Sequence, residues 1–381
     1  MTALNAEERA YVDRVRELAV TQLLPLVDKT EGGKVNRALL GAMGEHGLLR
    51  DLFGGSPDQP PRDAAAMRLC LLRETIAGIS TEAETALALQ GLGSYPILQS
   101  GRPETVERWI GGVVSGTTVA AFALTEPEAG SDAAALSLKA EPDGHGWWLS
   151  GEKLWISNAP EADVYTVFAR TTPEAGARGV TAFAVAGEAE GLSGEHLDML
   201  APHAIGRLRF DGVHVTPDDV LGEVDAGFKV AMRTLDLFRP SVGAFAVGMA
   251  QSALDATLDH VTSRRVYGAP LAAQQAVAHK LADLATQLQA ARLLVYAAAR
   301  TYDAGASRDE VTRSAAMAKL FATEAAQTIV DQCVQLHGAA ALQRGHLLEH
   351  LYRDVRAPRI YEGASEVQRS IISRQLLKER S

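Results

Sequence analysis

Cysteine is nearly missing from this chain. Cys70 and Cys333 are the only two among 381 residues, far apart and in no C-x-x-C pair. That excludes a disulfide framework or a zinc cluster and fits a reducing compartment. Long apolar runs are missing too, since none approaches the roughly 20 residues of a bilayer span. Excess positive charge is missing: the formal net charge is −10 and the sequence pI ≈ 5.5. No basic surface is therefore offered to nucleic acid or an anionic membrane. The stretch MTALNAEERAYVDRV has no positive leader followed by an apolar segment, so a cytoplasmic location is expected. There is no G-x-G-x-x-G and no P-loop, which removes nicotinamide Rossmann and nucleotide-hydrolase readings. The ten histidines show no H-E-x-x-H or similar spacing, so no metal site is expected. Ser150-Gly-Glu-Lys153 fits S-x-x-K, but the companion S-D-N and K-T-G strings are lacking, and its surroundings suggest a hairpin turn.

What is present is an ordinary globular balance, 47% hydrophobic and 22% charged, in a chain long enough for two or three domains. The first third reads as helices. Asn5 and Glu8 make a capping-box pattern, followed by Val12, Val15 and Ala19 at helical spacing. Residues 51–62 break the pattern with Gly and Pro, and helical composition resumes over 63–90. From Thr118 the texture changes. Short apolar or alternating runs at 119–124, 147–151, 164–169, 180–186 and 207–214 are separated by turn-formers such as PDGHG and GEAEGLSG. From Gly227 the helical period returns. Val277, Leu281, Leu284, Leu288, Ala291, Val295 and Ala298 form one stripe, expected to be the core of an antiparallel bundle.

Four strings have the makings of a site. LTEPEAGSD (124–132) joins a strand to a polar turn. GEKLWISNA (151–159) sets Trp155 two residues before Ser157 on a strand, so a flat aromatic and a hydroxyl share one face. SRRVYG (263–268) offers two arginines able to clamp a pyrophosphate. RIYEGASEVQR (359–369) places Glu362 just before a helix. Each alone has an ordinary explanation: core packing for Trp155, a solvated face for Arg264, a macrodipole-favoured acid for Glu362.

Together with LDLFRPSVGAFAVGMA and RRVYGAPLAAQQAVAHKLAD, and in this order, the strings resemble the acyl-CoA dehydrogenase family over nearly the whole chain, from about Glu7 to Leu377. The resemblance implies an α+β multidomain fold. An N-terminal helical domain (1–118) would precede a middle β domain of small antiparallel sheets or a barrel (119–226) and a C-terminal four-helix bundle (227–381). It implies FAD, an acyl-CoA substrate, electron-transfer flavoprotein as electron acceptor, and a homo-oligomer, dimer or tetramer, whose partner subunit completes the adenosine site.

By the same resemblance, Phe122, Leu124, Thr125 and Ser131 contact the flavin, Trp155 stacks near it and Ser157 bonds close to N5. Arg264 and Gln275 hold the pyrophosphate and adenosine, and Gln335, Gly338 and Ala339 line the cofactor with Ala364 and Glu366. Ser131, Asp236, Arg239 and Gly363 match positions that touch the CoA thioester or its nucleotide portion. Glu362 matches the base that takes the α proton while the β hydrogen leaves as hydride. Some relatives carry the base just before the arginine matched by Arg239, but that place is Phe238 here. The helix start should lower the pKa of Glu362, and burial under an acyl chain should raise it and win. Four positions depart from the family pattern: HGAAAL (337–342) lacks a second glycine and an aromatic, and Ala364 and Val266 lack hydroxyls. The segment ALQGLGSYPIL (88–98), with Gln90, Ser94 and Tyr95, matches the helix and turn lining the acyl-tail pocket. An oxidase or monooxygenase relative, a carrier-bound acyl group and a catalytically silent binding protein stand as alternatives.

Overall fold

Caps and breakers decide where the helices begin. Asn5 accepts from the Glu8 N–H while Glu8 reaches back to the Asn5 N–H, and helix α1 (Ala6–Leu18) starts there. Helices α2 (Arg37–Glu45), α3 (Ala66–Ala77), α4 (Thr81–Ser100) and α5 (Pro103–Ser115) follow. The computed structural model describes residues 4–27, 33–54, 64–201 and 203–378. Most of the Gly- and Pro-rich break, and the start of helical composition at Asp63, lie outside the described residues.

Strands β1 (Ala120–Ala123), β2 (Lys139–Pro142), β3 (Trp147–Ser157), β4 (Val164–Arg170), β5 (Val180–Ala186), β6 (Leu192–His196), β7 (Ile205–Val215) and β8 (Val220–Leu221) form one sheet. Its order is β6-β7-β3-β2-β4-β5-β8, with β1 beside β4. Pairing is mostly antiparallel, but β1 and β2 both run parallel to β4. β4 and β5 are buried on both faces, which explains their largely apolar sequence, broken by Thr166 and Thr181 and by Arg170 at the end of β4.

The final third is helical: α6 (Gly227–Ser263), a small hairpin β9 (Arg265–Val266) and β10 (Ala269–Pro270), then α7 (Gln275–Asp303), α8 (Arg308–His337), α9 (Leu347–Asp354) and α10 (Ser365–Lys378). Six of the seven stripe residues on α7 are buried, and Leu281 is half-buried. Gly243 on α6 lets the helices close: a Cβ there would meet Val295 at 2.7 Å and Ala322 at 3.3 Å. Helix α10 packs on α8.

The chain divides into two compact units that do not follow chain order. Residues 1–19, 66–84 and 236–381 make one, and residues 20–65 and 85–235 make the other.

Three local expectations are corrected. Ser150–Lys153 is not a turn but the middle of β3, where Gly151 takes φ +138 just past a register shift that leaves Gly212 of β7 unpaired, so a glycine in a strand looks like turn chemistry in sequence. The string GEAEGLSG does not separate strands throughout, since Leu192–Gly194 opens β6. Residues 88–98 contain no turn: α4 runs through Pro96 without interruption. Within α4, Gln90 is committed to the backbone, donating to Thr118 O at 2.7 Å and accepting from Ala120 N at 2.8 Å.

Candidate active site

Helix α10 begins at Ser365, and the three residues before it are held in an unusual shape. Glu362 has φ +51 and Gly363 φ +93. For a glutamate this left-handed conformation costs on the order of 1–3 kcal/mol and persists only where its surroundings over-determine it. Here they do. Lys319 Nζ on α8 donates to Gly363 O at 2.7 Å, Gln368 Nε2 donates to the same oxygen at 2.9 Å, and Arg239 Nε on α6 reaches Glu362 O at 3.4 Å. The φ of +93 favours glycine at 363, and a Cβ there would stand 2.5 Å from Gln368 Nε2 and push that amide off Gly363 O.

The clamp holds the backbone and leaves the carboxylate alone. Glu362 Oε2 is buried and has no hydrogen-bond partner. Burial pushes the Glu362 pKa above the usual carboxylate range, and Arg73, Lys319 and Arg239 pull against that without cancelling it. Burial within the protein alone thus acts in the direction expected of an acyl chain.

Asp236 and Arg239 sit three residues apart on α6 and pair with each other, Nη1 to Oδ1 at 2.9 Å, while Thr312 Oγ1 donates to the second Asp236 oxygen at 2.9 Å. Both side chains are buried. Burial raises the Asp236 pKa, against the pull of Arg239. The structure thus brings Glu362, Gly363, Asp236 and Arg239 together in one unit. Phe238 is buried between them in sequence and has no proton-accepting atom.

Three charged residues of this cluster escaped the sequence reading. Lys319 is fully buried, and burial lowers its pKa to about 8 against the attraction of Glu362. Arg73 on α3 and Glu84 on α4 form a buried ion pair. The available signal was charge inside apolar helical text, as in LCLLRE and AAMAKLFA.

Glu366 is exposed and pairs with Arg369 on its own helix at 3.3 Å, and Ala364 is half-buried. Arg264, Gln275, Gln335, Gly338 and Ala339 gather at one end of the bundle, all exposed. The His260 and His337 rings stack at 4.1 Å, which sets the end of α6 beside the end of α8, and Lys280 near the start of α7 donates to Gln332. Gly338 turns the chain with φ +66.

In the other unit, β1 ends at Ala123 and the chain turns through Thr125 to Ser131. A buried pair fixes that turn: Lys153 Nζ donates to Glu126 Oε1 at 2.8 Å and to Leu124 O at 2.9 Å. Leu154 N donates to Thr125 O at 2.9 Å, so the end of β1 is tied to β3 just before Trp155. Between Lys153 and Ile156 the register shifts, and Trp155 takes φ +59 with its side chain 50% exposed. Ile156 is buried and Ser157 half-buried, as alternation requires. Phe122 and Thr125 are half-buried, Leu124 is buried and Ser131 is exposed.

Family models for the N-terminal, middle and C-terminal domains of acyl-CoA dehydrogenase match residues 5–117, 121–213 and 225–377. The chain belongs to the acyl-CoA dehydrogenase family. Cyclohexane-1-carbonyl-CoA dehydrogenase of Geobacter metallireducens is 34% identical over 98% of each chain. A subunit of the caffeyl-CoA reductase-Etf complex of Acetobacterium woodii is 36% identical over 94% of each. The solved structure of butyryl-CoA dehydrogenase from Megasphaera elsdenii matches with TM-score 0.90 and 30% identity, over 98% of this chain and 99% of that one. The fold is the family's three-domain arrangement of N-terminal helices, middle β domain and C-terminal helices. The reaction is FAD-dependent dehydrogenation of an acyl-CoA at its CH–CH bond.

The residues present suit that cofactor. A half-exposed tryptophan held at a positive φ, with Thr125 and Ser157 close by in the sheet, offers an aromatic face and hydroxyls to a flat conjugated ring. At the bundle end, exposed Arg264 offers a charge-assisted donor to a pyrophosphate.

Proposed function

We propose that Glu362 is the general base that removes the α proton of the acyl-CoA. The observation that carries this is the Glu362 carboxylate, whose Oε2 lacks any partner while its backbone is fixed from three sides. An acceptor kept free of hydrogen bonds is ready to take a proton, and its raised pKa brings it closer to a weak carbon acid. The backbone N–H of Glu362 serves the thioester carbonyl, where charge develops as the proton leaves, an effect worth several kcal/mol. Arg239 and Gly363 bind the CoA thioester end, and Asp236 keeps Arg239 aimed.

FAD, when bound, supplies the hydride acceptor for the β hydrogen. Phe122, Leu124, Thr125, Trp155 and Ser157 hold its ring system, with Ser131 reaching toward both cofactor and substrate. Arg264, Gln275, Gln335, Gly338 and Ala339 hold the pyrophosphate and adenosine, assisted by a second copy of the chain. Ala364 and Glu366 lie beside it at the start of α10. Domain limits at 118/119 and 226/227 accompany this reading.

Electron-transfer flavoprotein is the proposed acceptor, a reading supported by the relative that works in an Etf complex. A homo-oligomer, dimer or tetramer, in the cytoplasm completes the proposal. No helix among the described residues is long and apolar enough to cross a membrane.

The test is anaerobic bleaching of the flavin by a panel of acyl-CoAs, butyryl- to palmitoyl-CoA and cyclohexane-1-carbonyl-CoA. Glu362→Gln should retain binding of the best of these and lose at least about a hundredfold in reduction rate. Reduction at the wild-type rate would remove Glu362 from the role.

A further inference from the structure

The proton transfer makes no direct use of the most deeply buried ion pair near Glu362. Arg73 Nε donates to Glu84 Oε1, and Arg73 Nη1 donates to Ser241 Oγ at 2.7 Å. Ser241 Oγ in turn donates to Phe238 O at 2.7 Å, one residue before Arg239, whose Nε reaches Glu362 O. A continuous polar connection therefore runs from Glu84 to the backbone of the proposed base, all inside one compact unit. A buried pair is weak as a source of stability, since well-packed apolar residues do as well.

We propose that Arg73 is a positioning residue for the dehydrogenation, held by Glu84 and Ser241 where its charge bears on the Glu362 carboxyl.

This rests on Glu362 being the base. The other charges facing Glu362 are already engaged. On α6, Arg239 is paired with Asp236. On α8, Lys319 is turned onto Gly363 O, and Glu324 is held by Arg359 at 2.8 Å and Ser365 at 2.5 Å. On α10, Glu366 is paired with Arg369. The Tyr361 hydroxyl belongs to the same electrostatic neighbourhood. Among the cations that favour ionised Glu362, Arg73 acts most strongly.

Glu84 differs from an ordinary counter-ion in one respect. Its Oε2 is buried without a partner, and burial lifts its pKa to about 7 against the pull of Arg73. The Arg73 guanidinium charge stabilises ionised Glu362, so the base stays competent at lower pH than its burial alone would allow.

The experiment is the pH dependence of flavin reduction in the FAD-loaded protein, with the fastest acyl-CoA of the panel in excess. Arg73→Met alone strands Glu84 without its counter-ion and risks misfolding, so the double variant Arg73→Met/Glu84→Gln, which removes both charges, carries the test. Its acid limb should move up by about one pH unit, the shift expected on losing a nearby opposite charge. Arg73→Lys, which keeps the charge, should restore the limb toward the wild-type position. An unmoved limb in the double variant, or an Arg73→Lys limb displaced as far as the double, overturns the proposal. Glu362→Gln run alongside separates the two failures: if that variant still reduces its flavin at the wild-type rate, the base assignment is what has failed.

Discussion

At position 362 a glutamate occupies a backbone conformation that favours glycine, and a second left-handed residue follows it. The clamp from Lys319, Gln368 and Arg239 is what makes this tenable, so its members should be costly to remove. Lys319→Met deletes a buried donor and a nearby positive charge. We expect a loss of about 1–3 kcal/mol in unfolding free energy, since Gly363 O keeps only Gln368. The acid limb of the rate profile should also rise, because ionised Glu362 loses an opposing cation. Urea unfolding and the pH profile check the two effects separately. In the wild type, the base must be ionised to accept a proton, so the rate should fall as pH drops through a value above the ordinary carboxylate range. Trp155, Ser157 and Glu362 could be proposed from sequence because each sits in a string whose neighbours are also distinctive. Arg73, Glu84 and Lys319 were not, because a charge on a helix reads as solvated until burial shows otherwise.

At the scale of elements, α4 meets β1 at a contact only glycine allows. A Cβ on Gly93 would lie 2.5 Å from Ala121 N. Gly93→Ala should therefore destabilise by about 1–3 kcal/mol or displace the strand, measurable by thermal unfolding. Gln90 and Ser94, which looked like pocket polarity, are spent on holding this contact and the helix itself: Ser94 Oγ donates to Gln90 O at 2.5 Å. The strands rich in Val, Phe and Ala were readable from composition, β4 and β5 to within a residue. β6 was not, since LSGEH is an exposed edge with a glycine, and neither was β8, whose two residues carry no period. Gly151, at φ +138 within the strand, hid the continuity of β3, because positive φ in a strand uses the same residue as a turn.

For the molecule as a whole, the helix–strand–helix order was legible, but the grouping of the helices was not. Helices α1 and α3 belong with the C-terminal half, whereas α2, α5 and most of α4 belong with the sheet. Periodicity shows that a helix has an apolar face and does not say which distant element covers it. Exposed Tyr267, at 99%, and Leu342, at 72%, lie near the end of the bundle that carries Arg264 and Gly338. A homo-oligomer would cover them, and sedimentation of the FAD-loaded protein at micromolar concentration should show a dimer or tetramer rather than a monomer.

In the proposed reaction a fixed backbone presents a free carboxylate to the α carbon, and the α hydrogen reports on it directly. Incubation in D₂O of the FAD-loaded protein with the best acyl-CoA of the panel, followed by mass spectrometry of the recovered thioester, measures exchange at that carbon. The wild type should introduce deuterium there, and Glu362→Gln should do so at least about a hundredfold more slowly. Equal exchange by the two proteins would contradict the account.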